Sequence, residues 1–251
     1  MFNSIYNTNY LAGLSAVSPN SVDFIYCDTS IIENFDADMF FELAMPLLRK
    51  EGVLITLSHG IDTARIMLAG ERFWNYDMVF NNSTPLLLFN EEDYPIRTHI
   101  DINVFSDGGS IPFHPLHAAQ TADVSKALNS FRKELNLDYV EEDEPSRISY
   151  MRSVLTHQFG KEDKRISIHQ LPASFYKELI ETYTSQEDVV LDASMDRGSF
   201  LAQAVSLKRN YIGFEPDKQN FMYANNTIRK AEIKADRLSS TTFFPMYHAT
   251  S

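Results

Sequence analysis

The residues best placed to do chemistry lie between Pro172 and Asp217, in the run PASFYKELIETYTSQEDVVLDASMDRGSFLAQAVSLKRNYIGFEPD. Two acids punctuate it. Asp192 closes the short apolar run Val189-Val190-Leu191, and Glu215 closes Tyr211-Ile212-Gly213-Phe214. Between them a turn from Asp192 to Ser199, carrying Gly198, leads into a helix. A strand, a turn that opens a helix, and a second strand ending in an acid form half of a doubly wound nucleotide site. In such a site the turn amides face the ligand and the acid reaches ribose hydroxyls. A separate candidate nucleophile is the lone thiol, Cys27. It has no neighbouring histidine in sequence to lower its pKa, and a cysteine in an apolar strand is far more often packing than chemistry.

Such residues need elements to hold them. Phe175, Leu179, Ile180 and Tyr183 recur at helical spacing after Pro172, so 173–184 is predicted as an amphipathic helix. Val189 to Leu191, bounded by Ser185-Gln186-Glu187-Asp188, has the look of a buried parallel strand. Residues 200–209 are predicted as a helix and 211–214 as the next strand. Upstream, Val22 to Cys27 reads as a strand and 37–50 as a helix stopped by Glu51-Gly52. Val53 to Ser58 is then a strand, Ile61 to Gly70 a helix, and Phe73 to Asn81 and Ile100 to Phe105 two further strands.

With those elements in order, the sequence resembles the DNA amino-methyltransferases that modify adenine N6 or cytosine N4, in the permuted (beta-type) class whose catalytic half precedes its cofactor half. The family segment runs KP, helix, VLDPFxGSGTT, helix, RNYIGIExD. This chain gives Leu171-Pro172, then LDASMDRGSF, then RNYIGFEPD, with matching spacing from Pro172 to Asp192. The resemblance implies an α/β Rossmann-like S-adenosylmethionine-dependent methyltransferase fold. Its sheet would be mostly parallel and seven-stranded, with one reversed edge strand and helices on both faces. It also implies that Asp192, Gly198, Ser199 and Glu215 line an S-adenosylmethionine pocket, Glu215 on the ribose. The departures argue against binding. The family's first turn glycine is Asp196 here, its aromatic is Ser194, and its Thr-Thr pair is Ser199-Phe200. Asp196 adds bulk and negative charge where the backbone must pass close to the cofactor; Arg197 offsets that charge only if it turns inward.

The strand from Val22 leads to the position of the family's catalytic motif, Asp-Pro-Pro-Tyr or a variant beginning with Asn or Ser. This chain has Asp28, Thr29, Ser30 and Ile31 there. By resemblance the motif accepts hydrogen bonds from the weakly nucleophilic exocyclic amine while its aromatic stacks on the flipped base. Two prolines fix a backbone shape that Thr29-Ser30 does not impose, and Ile31 has no π face. Asp28 retains an acceptor; it reads equally well as an acid that simply ends a strand. Pro95 to His99 resembles the family's PLRSHE segment, with His99 read as structural.

Composition narrows the classes further. The 251 residues can bury one sizeable core, and no run approaches membrane-spanning length. The start, MFNSIYNTNY, shows no secretion signal, and a single cysteine fits a reducing cytoplasm. The seven histidines lack zinc-ligand spacing, so no metal is expected. A net charge of −12 argues against strong autonomous DNA binding. Residues 1–238 are read as one domain: 1–106 equivalent to the catalytic half, 107–165 a short insert where target recognition sits in the family, and 166–238 the cofactor half. A tail, 239–251, follows. Within the insert 121–135 reads as a helix and Glu141-Glu142-Asp143-Glu144 as an acid run. Arg147, Arg152, Lys161, Lys164 and Arg165 are a candidate phosphate-contacting strip, although scattered charges more commonly serve a solvated surface.

Loss at two separate sites points first to a pseudo-methyltransferase that acts by binding. Its candidate partners are DNA, another methyltransferase-like chain in a homodimer or heterodimer, or a restriction or defence protein. The alternative is an active, divergent adenine-N6 or cytosine-N4 DNA methyltransferase.

Overall fold

The chain enters with strand β1 (Ser4–Tyr6) and helix α1 (Tyr10–Ser15), the latter capped by Asn9, whose side chain accepts from the Ala12 amide. Strand β2 (Val22–Asp28) follows, then helix α2 (Ala37–Ala44), strand β3 (Leu48–Ser58), helix α3 (Ile61–Ala69) and strands β4 (Trp74–Asn82) and β5 (His99–Phe105). Strand β6 (Val154–His157), helix α4 (Ala173–Tyr183), strand β7 (Val189–Asp192), helix α5 (Ser199–Ser206), strand β8 (Asn210–Phe214) and helix α6 (Lys218–Thr241) complete the order. The computed structural model describes residues 2–82, 98–108, 110–114, 130, 133–134, 152–161 and 163–241. The acid run at 141–144, Arg147, nearly all of the helix expected at 121–135, and residues 242–251 lie outside the described residues.

The strands form one eight-stranded sheet in the order β1-β8-β7-β2-β3-β5-β4-β6. All neighbours run parallel except β5, which is antiparallel to both β3 and β4. Two features of the expected sheet need correction. It has eight strands rather than seven, because β6, inside the segment read as an insert, pairs with β4. The reversed strand is interior rather than at an edge. It alternates cleanly, with Ile100, Ile102 and Val104 on one face and Asn103 and Phe105 on the other, and so suits a position flanked on both sides.

Buried parallel strands explain the continuous apolar runs. Along β2, Phe24 and Tyr26 join the core beneath α4, α5 and α6, while Ile25 and Cys27 join the core beneath α1, α2 and α3. Each face is thereby covered by helices. Helix α2 is shorter than expected. It gives way to a 3-10 turn, Met45–Leu47, at Pro46, which has no N–H to continue the helix, and β3 is already under way at Leu48, paired with Val22. Helix α6 runs on to Thr241, three residues beyond the boundary expected at 238.

Candidate functional site

The three acids expected in the site sit at the carboxyl ends of parallel strands. Asp28 ends β2, Asp192 ends β7 and Glu215 follows β8. These three strands are near neighbours in the sheet, so the acids share one rim, the place where open α/β sheets take their ligands. All three are buried, at 3%, 1% and 5% exposure, so the arrangement concentrates carboxylates in a space with little water to screen them.

Ser194 stitches two of them together. Its hydroxyl accepts from the Asp28 amide at 2.7 Å and faces Asp192 Oδ1 at 3.4 Å, and its own amide donates to the same oxygen at 3.0 Å. Asp28 Oδ1 accepts from the Ser30 amide at 3.0 Å and the Ser30 hydroxyl at 2.6 Å. Thr29 turns away from the rim and donates to the Leu57 carbonyl. The Asp28 carboxylate therefore has one oxygen occupied by its own turn, and Ile31 lines the cavity in place of an aromatic.

Burial sets the protonation of this group. It raises the Asp28 carboxyl, against the Ser30 hydrogen bonds and the fields of His169 and His59 that pull it back. Burial pushes Asp192 up to about 8, opposed by the Ser194 amide and aided by Asp28 and Glu215. Glu215 rises to about 7, again chiefly by burial, with the negative neighbour Asp196 adding to it. Near neutral pH the rim is thus partly protonated, because several carboxylates without a facing cation cannot all ionise in a dry site. The Cys27 thiol is fully buried and its pKa is raised well above normal, which leaves it inert packing.

The turn itself is formed, and several of its amides are spent within the chain. Gly198 takes the left-handed conformation (φ 78°) that starts α5, and Asp196 is also left-handed (φ 46°). The Met195 amide donates to the Phe214 carbonyl and the Gly198 amide to the Met195 carbonyl. Glu215 accepts from the Asp217 amide at 2.8 Å, so the acid expected on a ribose is held by its own chain. Arg197 does not turn inward. It reaches the Ile166 carbonyl and Asn220, and its guanidinium lies 4.7 Å over the Tyr223 ring; among the described residues it forms no ion pair with Asp196.

Aromatic side chains fill the space behind the turn. Phe200 is 2% exposed and stacks on Tyr26 with ring centroids 4.1 Å apart, while Tyr176 meets both rings edge-on. The cavity bounded by Tyr26, Tyr176, Asp192, Asp196 and Phe200 is about 20 Å³. A nucleoside-sized cofactor calls for a pocket of roughly 300 Å³ or more. The residues present do not fit S-adenosylmethionine in this arrangement. The sequence shows Phe200 where the family has a threonine, but not that its ring would stack on Tyr26 and fill this space.

Of the basic residues proposed for phosphate contact, four are among the described residues. Arg152 precedes β6 and borders a groove with Tyr76, Met78 and Phe113, whereas exposed Lys161, Lys164 and Arg165 lie in the loop from β6 to α4. Arg165 folds onto that loop, donating to the Ser167 and Ile168 carbonyls with its guanidinium over Phe159. His99 is exposed at the start of β5. Among the described residues there is no cluster of three or more potential metal ligands, and no helix is long and apolar enough to cross a membrane.

This sheet order, with acids at its carboxyl rim, is the fold of S-adenosylmethionine-dependent methyltransferases. It superposes on M1.HpyAVI in complex with S-adenosylmethionine at a TM-score of 0.64, with 16% identity over 90% of this chain and 98% of that one. It matches the cytosine-N4-specific PvuII DNA methyltransferase at 0.63, with 12% identity over 94% and 92%. The family model described as DNA methylase, covering N6 and N4 enzymes, matches residues 16–226, and the chain belongs to that family. The type II methyltransferase M.HindIII of Haemophilus influenzae is 35% identical over 76 residues, which is 30% of this chain and a quarter (25%) of that relative's length.

Proposed function

We propose that this chain is a silent DNA methylase homologue: it keeps the methyltransferase scaffold, does not turn over S-adenosylmethionine, and acts by binding. The partner class is DNA, an active methyltransferase-like chain in a dimer, or a restriction or defence protein that recognises this shape. The observation that carries the reading is the filled cofactor turn, with about 20 Å³ of space beside Phe200 and Tyr26 and with Glu215 held by the Asp217 amide of its own chain. The rebuilt motif adds to it, since Ser30 occupies one Asp28 oxygen and Ile31 offers no ring for a base to stack on.

The second reading, an active divergent adenine-N6 or cytosine-N4 methyltransferase, is favoured by one observation: Asp28, Asp192, Gly198 and Glu215 still share the carboxyl rim. Calorimetric titration of the full chain with S-adenosylmethionine separates the two. No heat of binding at micromolar concentrations, and no tritiated methyl transferred to duplex DNA, is the expected result. Micromolar binding with methyl transfer abolished by Asp28→Ala would establish the enzyme instead.

A further inference from the structure

Away from the filled rim, three side chains make a continuous hydrogen-bonded line that neither reading uses. Ser174 Oγ lies 3.0 Å from His157 Nδ1, and His157 Nε2 pairs with Glu178 Oε2. His157 ends β6; Ser174 and Glu178, four residues apart, share one face of α4. The imidazole is held laterally as well, with Phe80 stacked on it and Phe175 edge-on. Histidine and glutamate are mostly covered, at 17% and 20% side-chain exposure, whereas Ser174 is exposed. A nucleophile facing solvent, a base behind it and an acid fixing the base is the arrangement that activates a serine hydroxyl.

The tautomer follows from the contacts. His157 Nε2–H donates to the Glu178 carboxylate, which leaves the Nδ1 lone pair to accept from the Ser174 hydroxyl. The serine is also the second residue of an 11-residue helix, where the first amides have no intrahelical acceptor and the dipole favours a developing negative charge. The Ala173 and Ser174 amides are thus available for an oxyanion, since the first in-helix donors to Pro172 are Phe175 and Tyr176. A strap between β6 and α4 needs only the histidine–glutamate pair; it gives no reason for an exposed hydroxyl on the second nitrogen.

We propose that Ser174, His157 and Glu178 form an acyl-transfer site that hydrolyses small, unhindered carboxylic esters. Ser174 Oγ attacks the ester carbonyl carbon as its proton passes to His157 Nδ1. The tetrahedral oxyanion collapses, the C–O bond to the alcohol breaks, and His157 returns that proton to the leaving alkoxide. Water then attacks the acyl-serine, giving up a proton to His157, and releases the carboxylic acid and the free hydroxyl; the balance is ester plus water to acid plus alcohol. Ser174 and His157 are the catalytic residues, and Glu178 is a positioning residue that acts through His157.

The test uses the full chain, a fluorophosphonate probe, and p-nitrophenyl acetate as substrate. Expected are a phosphonyl adduct mapped to Ser174 by peptide mass spectrometry, its loss in Ser174→Ala, and a 100-fold or greater fall in ester hydrolysis in both Ser174→Ala and His157→Gln, the scale a positioned general base supplies. Glu178→Gln should lower kcat and displace the pH–rate profile while labelling persists at a slower rate. Ser174→Ala removes only an exposed hydroxyl, so its circular dichroism and melting curve should match the parent. The proposal is overturned if the folded parent carries no more label at Ser174 than at other exposed serines. It is equally overturned if His157→Gln, confirmed folded, labels and hydrolyses as the parent does.

Discussion

Asp192 shows what burial does to a single carboxyl whose nearest charged neighbours are also acids. Its carboxyl is pushed up to about 8 by burial, whereas in the unfolded chain it titrates at about 3.9. Between those values the folded protein holds a proton that the unfolded chain releases. Folding stability contributed by this group is therefore fully present below the unfolded pKa and is lost as pH rises through the folded one. Asp192→Asn removes the titration while keeping an oxygen for the Ser194 amide, so the variant should gain on the parent as pH rises from 5 to 8. Melting temperatures measured across that range check the sign. A parent that gains on the variant with rising pH would mean an ionised, well-paired carboxylate. Glu215, pushed up to about 7 by burial, should show the same trend displaced to lower pH.

At the scale of the elements, the turn into α5 is the part whose replacement is most instructive. Gly198 is left-handed at φ 78°, and an added Cβ would come within 3.1 Å of Ala224 in α6. Gly198→Ala should destabilise by about 1–2 kcal/mol from the backbone conformation alone, with the α6 contact adding to it. Phe200→Ala, which removes the ring stacked on Tyr26, should cost about 3–5 kcal/mol by the cavity it leaves. Urea unfolding of each variant measures both. The helices and most strands flanking this turn were legible in the sequence because each is a short periodic run with its own stop: Pro172 ahead of α4, the polar Ser185 to Asp188 ahead of β7, and Gly198 ahead of α5. What was not legible depends on distant partners. Leu48 reads as the end of a helix until Val22 is seen to pair with it, and Val154 to His157 reads as loop until β4 supplies an edge. In the site, Asp28, Asp192 and Glu215 were found as strand-ending acids. That Phe200 fills the cofactor space, and that Arg197 turns outward to Ile166 and Asn220, are facts of packing with no local pattern in sequence.

For the whole molecule, charge and scaffold pull in different directions, and DNA affinity is where the conflict is measurable. The fold is that of DNA methylases, yet the chain carries 34 acidic against 22 basic residues, a net of −12. Each phosphate neutralised releases counterions, and log K falls with log salt by about 0.9 per contact. Of the proposed contacts, exposed Arg152, Lys161, Lys164 and Arg165 are described, and Arg165 already spends its donors on the Ser167 and Ile168 carbonyls. Three or four contacts predict a slope no steeper than about −4, so duplex DNA held by this chain alone should be weak and lost with modest added salt. Fluorescence anisotropy with a labelled duplex across a salt series gives the slope directly. Adding an active DNA methyltransferase as the partner should steepen it, because the partner's cations then share the backbone while this chain supplies surface. A slope near −8 for the isolated chain would show that its net charge conceals a basic groove, and would return DNA to first place as the molecule it acts on.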